Sequence, residues 1–254
     1  MSNISYKKWL KLQKPPVILA IFQVKFDQKD PDISVFLDYD TQIRHVFPKR
    51  KDNMLTNLEV PGTIALGVSK ITSTTNTKIT GYVYSTEDHK KNLQIEQGSL
   101  VYADECKYEG WNNFKEFILS FLNIYRPQLD KFTILRISIR FINKISFDEF
   151  EDPTAYFNTL VSTSSDKDFA YPLTKYSFKM FFNIPDTNRN AIVNQDLEIN
   201  TQNKYDYIFD IDVLDNKNHN FDISFIEETI EELRIIKNNI FFDNITPRTI
   251  ELCN

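Results

Sequence analysis

The chain has 254 residues, of which 41% are hydrophobic and 14% aromatic, with a net charge of -5 and a pI near 5.3. An acidic balance excludes a basic footprint for nucleic acid over the whole protein, and this length and apolar content suffice for a core without disulfide or metal. The two cysteines, Cys106 and Cys253, lie far apart, which fits a reducing, cytoplasmic setting, and no stretch approaches the ~20 apolar residues of a membrane span.

In chain order, Pro15-Pro16 sets an extended entry to a strand over Val17–Phe26, with Ile18, Ala20, Phe22, Val24 and Phe26 on one face. A polar break precedes a weak helix over Ile33–Val46. The basic segment around His45, Lys49, Arg50 and Lys51 reads as a solvated loop. Strand patterns follow at Thr63–Ser73, Ile79–Thr86, Leu93–Glu96 and Leu100–Asp104, with Glu87–Lys91 as a hairpin loop and Gln97-Gly98 as a turn. Trp111–Leu129 carries an amphipathic stripe of Trp111, Phe114, Phe117, Ile118, Phe121, Leu122 and Tyr125. Phe132–Phe147 is a strand, with Phe132, Ile134 and the alternating Leu135, Ile137, Ile139 and Phe141 expected to be buried. A short helix at Asp148–Leu160, a Ser/Thr/Asp loop at Ser162–Asp168, and strands at Tyr176–Ile184, Ala191–Ile199 and Tyr207–Leu214 come next. Asp222 or Ser224 caps a helix over Phe225–Phe242, and Thr246-Pro247 opens a terminal one.

The order of elements repeats. Strand Val17–Phe26 parallels Phe132–Phe147, and helix Trp111–Leu129 parallels Phe225–Phe242. The expected fold is α+β, a single domain over residues 1–254. Two similar βαβββα halves, about 15–130 and 131–254, form a curved antiparallel sheet packed on two long helices.

Several stretches carry a resemblance: PPVILAIFQVKF, YEGWNNFKEF, LRISIRFINKI, NAIVNQDLEI, YIFDIDV and LRIIKNNIFFDNIT. On them the chain resembles a sporadically distributed family of uncharacterised bacterial proteins of about 250 residues. The aromatic–Gly–Trp helix start, Arg140-Phe141-Ile142-Asn143 and the Lys-Asn-x-Ile-Phe-Phe tail are the most specific pieces. Phe141 stands where the pattern has Tyr. The resemblance implies no activity; the patchy occurrence of such genes implies a defence or toxin–antitoxin context.

Chemistry-bearing residues are few. Arg136 and Arg140 share one strand face, with Ser138 between them, and could clamp a phosphate or carboxylate. The alternative is cross-strand ion pairs with Asp210 and Asp212. Those two aspartates could instead hold a divalent metal or divide acid and base roles. Asn143 is expected to satisfy a backbone group. Tyr108 and Trp111 read as a helix anchor or as part of a partner-facing surface. His45, His89 and His219 match no zinc spacing, and five scattered glycines cradle no phosphate.

Three functions remain open. The first is a non-enzymatic binding or regulatory protein, with a protein partner encoded nearby and no cofactor. The second is a nucleic-acid or nucleotide sensor using Arg136 and Arg140, with Arg44, Lys49 and Arg50 in support. The third is a metal-dependent hydrolase using Asp210 and Asp212.

Overall fold

The computed structural model describes residues 9–28, 32–59, 74–105, 108–147, 155–158, 175–202 and 204–254. The strand expected at Thr63–Ser73, Cys106, the loop Ser162–Asp168 and most of the helix expected at Asp148–Leu160 lie outside them. The described elements are β1 (Val17–Phe26), a 3-10 helix (Ser34–Tyr39) leading into α1 (Asp40–Arg44), β2 (Lys49–Glu59), β3 (Thr74–Ser85), β4 (Lys91–Glu96) and β5 (Ser99–Asp104). Then come α2 (Trp111–Leu129), β6 (Thr133–Phe147), β7 (Lys175–Asn183), β8 (Arg189–Ile199), β9 (Tyr205–Asp215), β10 (His219–Asn220), α3 (Ile223–Asn244) and α4 (Pro247–Leu252). The architecture is mixed: one open antiparallel sheet with helices.

The strands run in the order β2-β3-β4-β5-β1-β6-β9-β8-β7, and β10 pairs with the start of β6. The first described strand, β1, and the strand after α2, β6, thus meet at the centre. Phe22 faces Ile139 there and Ala20 faces Phe141. On the outer side of β1 lies β5, and on the outer side of β6 lies β9.

Period-two alternation explains which face is covered. Ala20, Phe22, Val24 and Phe26 of β1, Ile137, Ile139 and Phe141 of β6, and Tyr207, Phe209, Ile211 and Val213 of β9 are all buried. The helices lie on this face. Phe121 of α2 packs on Phe22 and Tyr102, while Phe114 reaches Tyr102 and Phe141. Burying one such ring contributes roughly 2–3 kcal/mol. From α3, Ile226, Ile230, Leu233 and Ile236 are buried in the same core. The Asp222 carboxylate caps α3 by accepting from the Ser224 and Phe225 amides, and Thr246 caps α4 ahead of Pro247.

Three expectations need correction. Ile18 does not join the buried face of β1: it is 44% exposed, beside a register shift between Val17 and Leu19. Leu135 is 39% exposed, while Ile134 is buried as expected, because a second shift falls where Lys25 and Phe26 meet Arg136 and Ile134. The basic segment is also no loop from Lys49 onward. It opens β2, where Lys49 pairs with Glu87 at 2.8 Å and Arg50 with Asp40 at 2.9 Å. No described helix is long and apolar enough to cross a membrane.

Candidate functional site

The residues singled out in the sequence fall on opposite faces of the sheet. From Arg136 onward the even-numbered positions of β6, like those of β9, point away from the helices, so Arg136, Arg140, Asp210 and Asp212 occupy the open face. Arg140 directly faces Asp212 in the register, but its guanidinium reaches diagonally to Asp210. The contact is bidentate, Nε to Oδ1 at 2.8 Å and Nη2 to Oδ2 at 2.7 Å, and Asn194 donates to Oδ2 at 2.9 Å. Arg136 turns the other way and donates to Gln23 Oε1 on β1. Asp212 keeps one buried oxygen with no hydrogen-bond partner. Burial raises its pKa above the ordinary 3.8, despite the opposing pull of Arg140 and Arg136.

Further along the open face, Lys144 pairs with Asp206, which also accepts from Ser146 at 2.7 Å and Asn200 at 3.1 Å. Lys175 pairs with Glu198 at 3.1 Å. These are cross-strand contacts that join β6, β9, β8 and β7, and most of their charges neutralise one another in place. The supporting cations of the N-terminal half, Arg44, Lys49 and Arg50, are likewise committed. Arg44 and Arg50 both meet Asp40, and Lys49 meets Glu87.

Asn143 sits at an odd position of β6 and therefore faces the helices. It is buried, and its Nδ2 donates to the Phe209 carbonyl at 2.9 Å. It lines a cleft of about 690 Å³ between the extended segment Trp9–Val17, the start of α2 and the middle of α3. Tyr108 and Trp111 line the same cleft, so three of the predicted residues meet here. Tyr108 packs edge-on against Phe141 at 5.7 Å, and burial pushes its hydroxyl pKa up. Trp111 also rests near Phe141, at 6.5 Å, and its Nε1 donates to Glu231 at 2.7 Å. Glu231 further accepts from Lys115 at 2.9 Å and Arg234 at 3.2 Å, and these donors hold its carboxyl below the usual range even though burial opposes them.

Two cleft residues were missed in the sequence, Arg234 and Lys237. Arg234 stacks over Trp111 with its guanidinium carbon 5.2 Å from the ring centroid. Lys237 lies 4.3 Å from the Phe141 centroid. Burial, and secondarily the neighbouring Arg234, push its ammonium down to about 7. It makes no ion pair with a described residue. One signal was available: Arg234 and Lys237 are three apart and interrupt the apolar run Leu233–Phe242.

His45, His89 and His219 stay apart, at the end of α1, in the β3–β4 turn and in β10. Among the described residues, no group of three or more His, Cys, Asp or Glu is arranged to hold a metal ion. No family model matches the chain, and no curated protein matches its sequence.

Proposed function

We propose that the chain is a non-catalytic binding or regulatory protein, and that its binding site is the cleft bounded by Trp9–Val17, α2 and α3. One observation carries this reading. Tyr108, Trp111 and Asn143, from two separate parts of the sequence, line one concave site with Lys237, which makes no ion pair with a described residue. Four of the stretches on which the family resemblance rests each contribute to its wall: Pro15-Pro16-Val17, Tyr108–Asn113, Asn143 and Lys237–Phe242. Membership of that family, a partner encoded nearby, a defence or toxin–antitoxin context and a cytoplasmic location all belong to the same proposal.

The duplicated origin of the two halves belongs to it as well. In its support, β1 and β6 pair at the centre, and each arm ends with the strand that precedes a helix, β5 before α2 and β9 before α3 (β10 aside), laid against its own first strand.

The rival readings draw less from the geometry. Arg140 is held on Asp210 by two hydrogen bonds, so a phosphate would have to displace a carboxylate to reach it. A metal on Asp210 and Asp212 would compete with the same guanidinium. The test is co-purification of the tagged chain with the products of adjacent genes. A partner retained by the parent and by Arg140→Met, but lost by Trp111→Ala, supports the cleft. A partner retained equally by Trp111→Ala removes it.

A further inference from the structure

We propose that the cleft recognises an oxyanion, a phosphate or carboxylate carried on a small apolar body, and seats it against Lys237 and Arg234. This rests on the reading of the cleft as the binding site and adds the chemistry of its ligand.

The argument begins with the counter-ions. An ammonium partly removed from water is costly unless an anion faces it. Lys237 has an aromatic ring below it and a second cation, Arg234, one helical turn away. Among the described residues no carboxylate pairs with it, and the two acids at this end of the helices are engaged elsewhere. Glu231 is shared among Trp111, Lys115 and Arg234. Glu109 accepts from Asn113 at 3.4 Å and lies 3.6 Å from Lys91. Lys237 thus has no counter-ion among the described residues, and an anion bound in the cleft would supply one.

The cleft wall adds donors of a second kind. Gly110 precedes α2 with φ of 113°, a conformation that L side chains rarely adopt, and no side chain caps the helix. Trp111, Asn112 and Asn113, the first turn of a 19-residue helix, line the cleft. Their amides lack intrahelical acceptors and favour negative charge. This helix end supplements the two cations and would not carry the assignment by itself. Trp9, Trp111, Phe241 and Phe242 supply flat apolar surface beside the charged corner. A volume of about 690 Å³ suits a small organic ligand.

The chain contains two tryptophans, and both line the cleft. Intrinsic fluorescence of the full chain therefore reports on it. The probes are inorganic phosphate, acetate, benzoate and the neutral benzamide, each at ionic strength matched with potassium chloride. Saturable changes with phosphate or benzoate, and none with benzamide, are expected. Phosphate alone would assign a phosphoryl ligand, and acetate and benzoate alone a carboxylate. Lys237→Met and Arg234→Met, each checked for folding by circular dichroism, should each weaken binding about tenfold or more, as loss of a charge-assisted contact predicts. Arg140→Met, on the opposite face, should bind like the parent.

Equal binding of benzamide and benzoate, or parental affinity in both Lys237→Met and Arg234→Met, overturns the oxyanion while leaving the cleft as a binding site. No saturable change with any probe overturns it too, and the co-purification experiment then decides separately whether the cleft binds a partner.

Discussion

The ammonium of Lys237 lies 4.3 Å from the centre of the Phe141 ring, with Arg234 as its charged neighbour. The strand supplies the ring and the helix supplies both cations. Their meeting places positive charge against a hydrophobic layer, and the protein's pH behaviour should show it.

Lys237 has a folded pKa of about 7 against an ordinary 10.5, so the unfolded chain holds the proton more tightly. Its depressed value contributes a penalty that is absent above 10.5, grows as the pH falls towards 7 and stays constant below that. Lys237→Met should therefore raise the melting temperature at neutral pH, with the gain shrinking as the pH climbs towards 10.5. Thermal melts across that range check this. A gain independent of pH would mean that the lysine is fully hydrated.

Asp212 shifts in the opposite sense. Its folded pKa is raised, so the stabilising effect of its proton is complete below the ordinary 3.8 and is lost as the pH rises through the folded value. At neutral pH the ionised carboxylate destabilises the fold. Asp212→Asn should be more stable than the parent at pH 7 and equal to it in strong acid. Urea denaturation at the two pH values measures the difference.

The Arg140–Asp210 pair predicts a coupling. Asp210 is almost fully buried, whereas the Arg140 side chain is 42% exposed, so solvent screens part of the interaction. Arg140→Met should cost about 1–3 kcal/mol, because it leaves a buried carboxylate with Asn194 as its one side-chain donor among the described residues. Arg140→Met combined with Asp210→Leu should recover much of that loss. Chemical denaturation of the two single variants and the double variant closes the cycle, and strict additivity would dismiss the coupling.

Gly81 tests the sheet itself. A Cβ at this position would come within 2.6 Å of the Ile95 carbonyl oxygen on β4. Gly81→Ala should destabilise the fold by about 1–3 kcal/mol through overpacking, read as a lower denaturation midpoint.

Much of this architecture was legible in the residues. Trp111–Leu129 is a helix with the boundaries its stripe indicates, because seven large side chains recur at helical spacing after a glycine. Asp222 and Thr246 act as caps because each precedes a helix with a short oxygen-bearing side chain. Alternation placed Phe22 and Ile139 inward. It could not place Ile18 or Leu135, because register shifts between strands are set by the partner strand and leave no mark in local periodicity.

The candidate site divides along the same line. Local pattern was enough to put Arg136 and Arg140 on one face of β6 and Asn143 on the other, because that depends only on counting by two. Whether Arg140 meets Asp210 or Asp212 depended on the stagger of β6 against β9, some 70 residues apart in the chain. The cleft depended on more still. Trp9, Tyr108, Asn143 and Lys237 come from four separate segments, and packing of α2 and α3 on one face of the sheet brings them together. Lys237 reads as an ordinary surface lysine within its helix. Only the tertiary fold encloses it beside Phe141 and Arg234 with no carboxylate partner among the described residues, and on that the oxyanion proposed for the cleft rests.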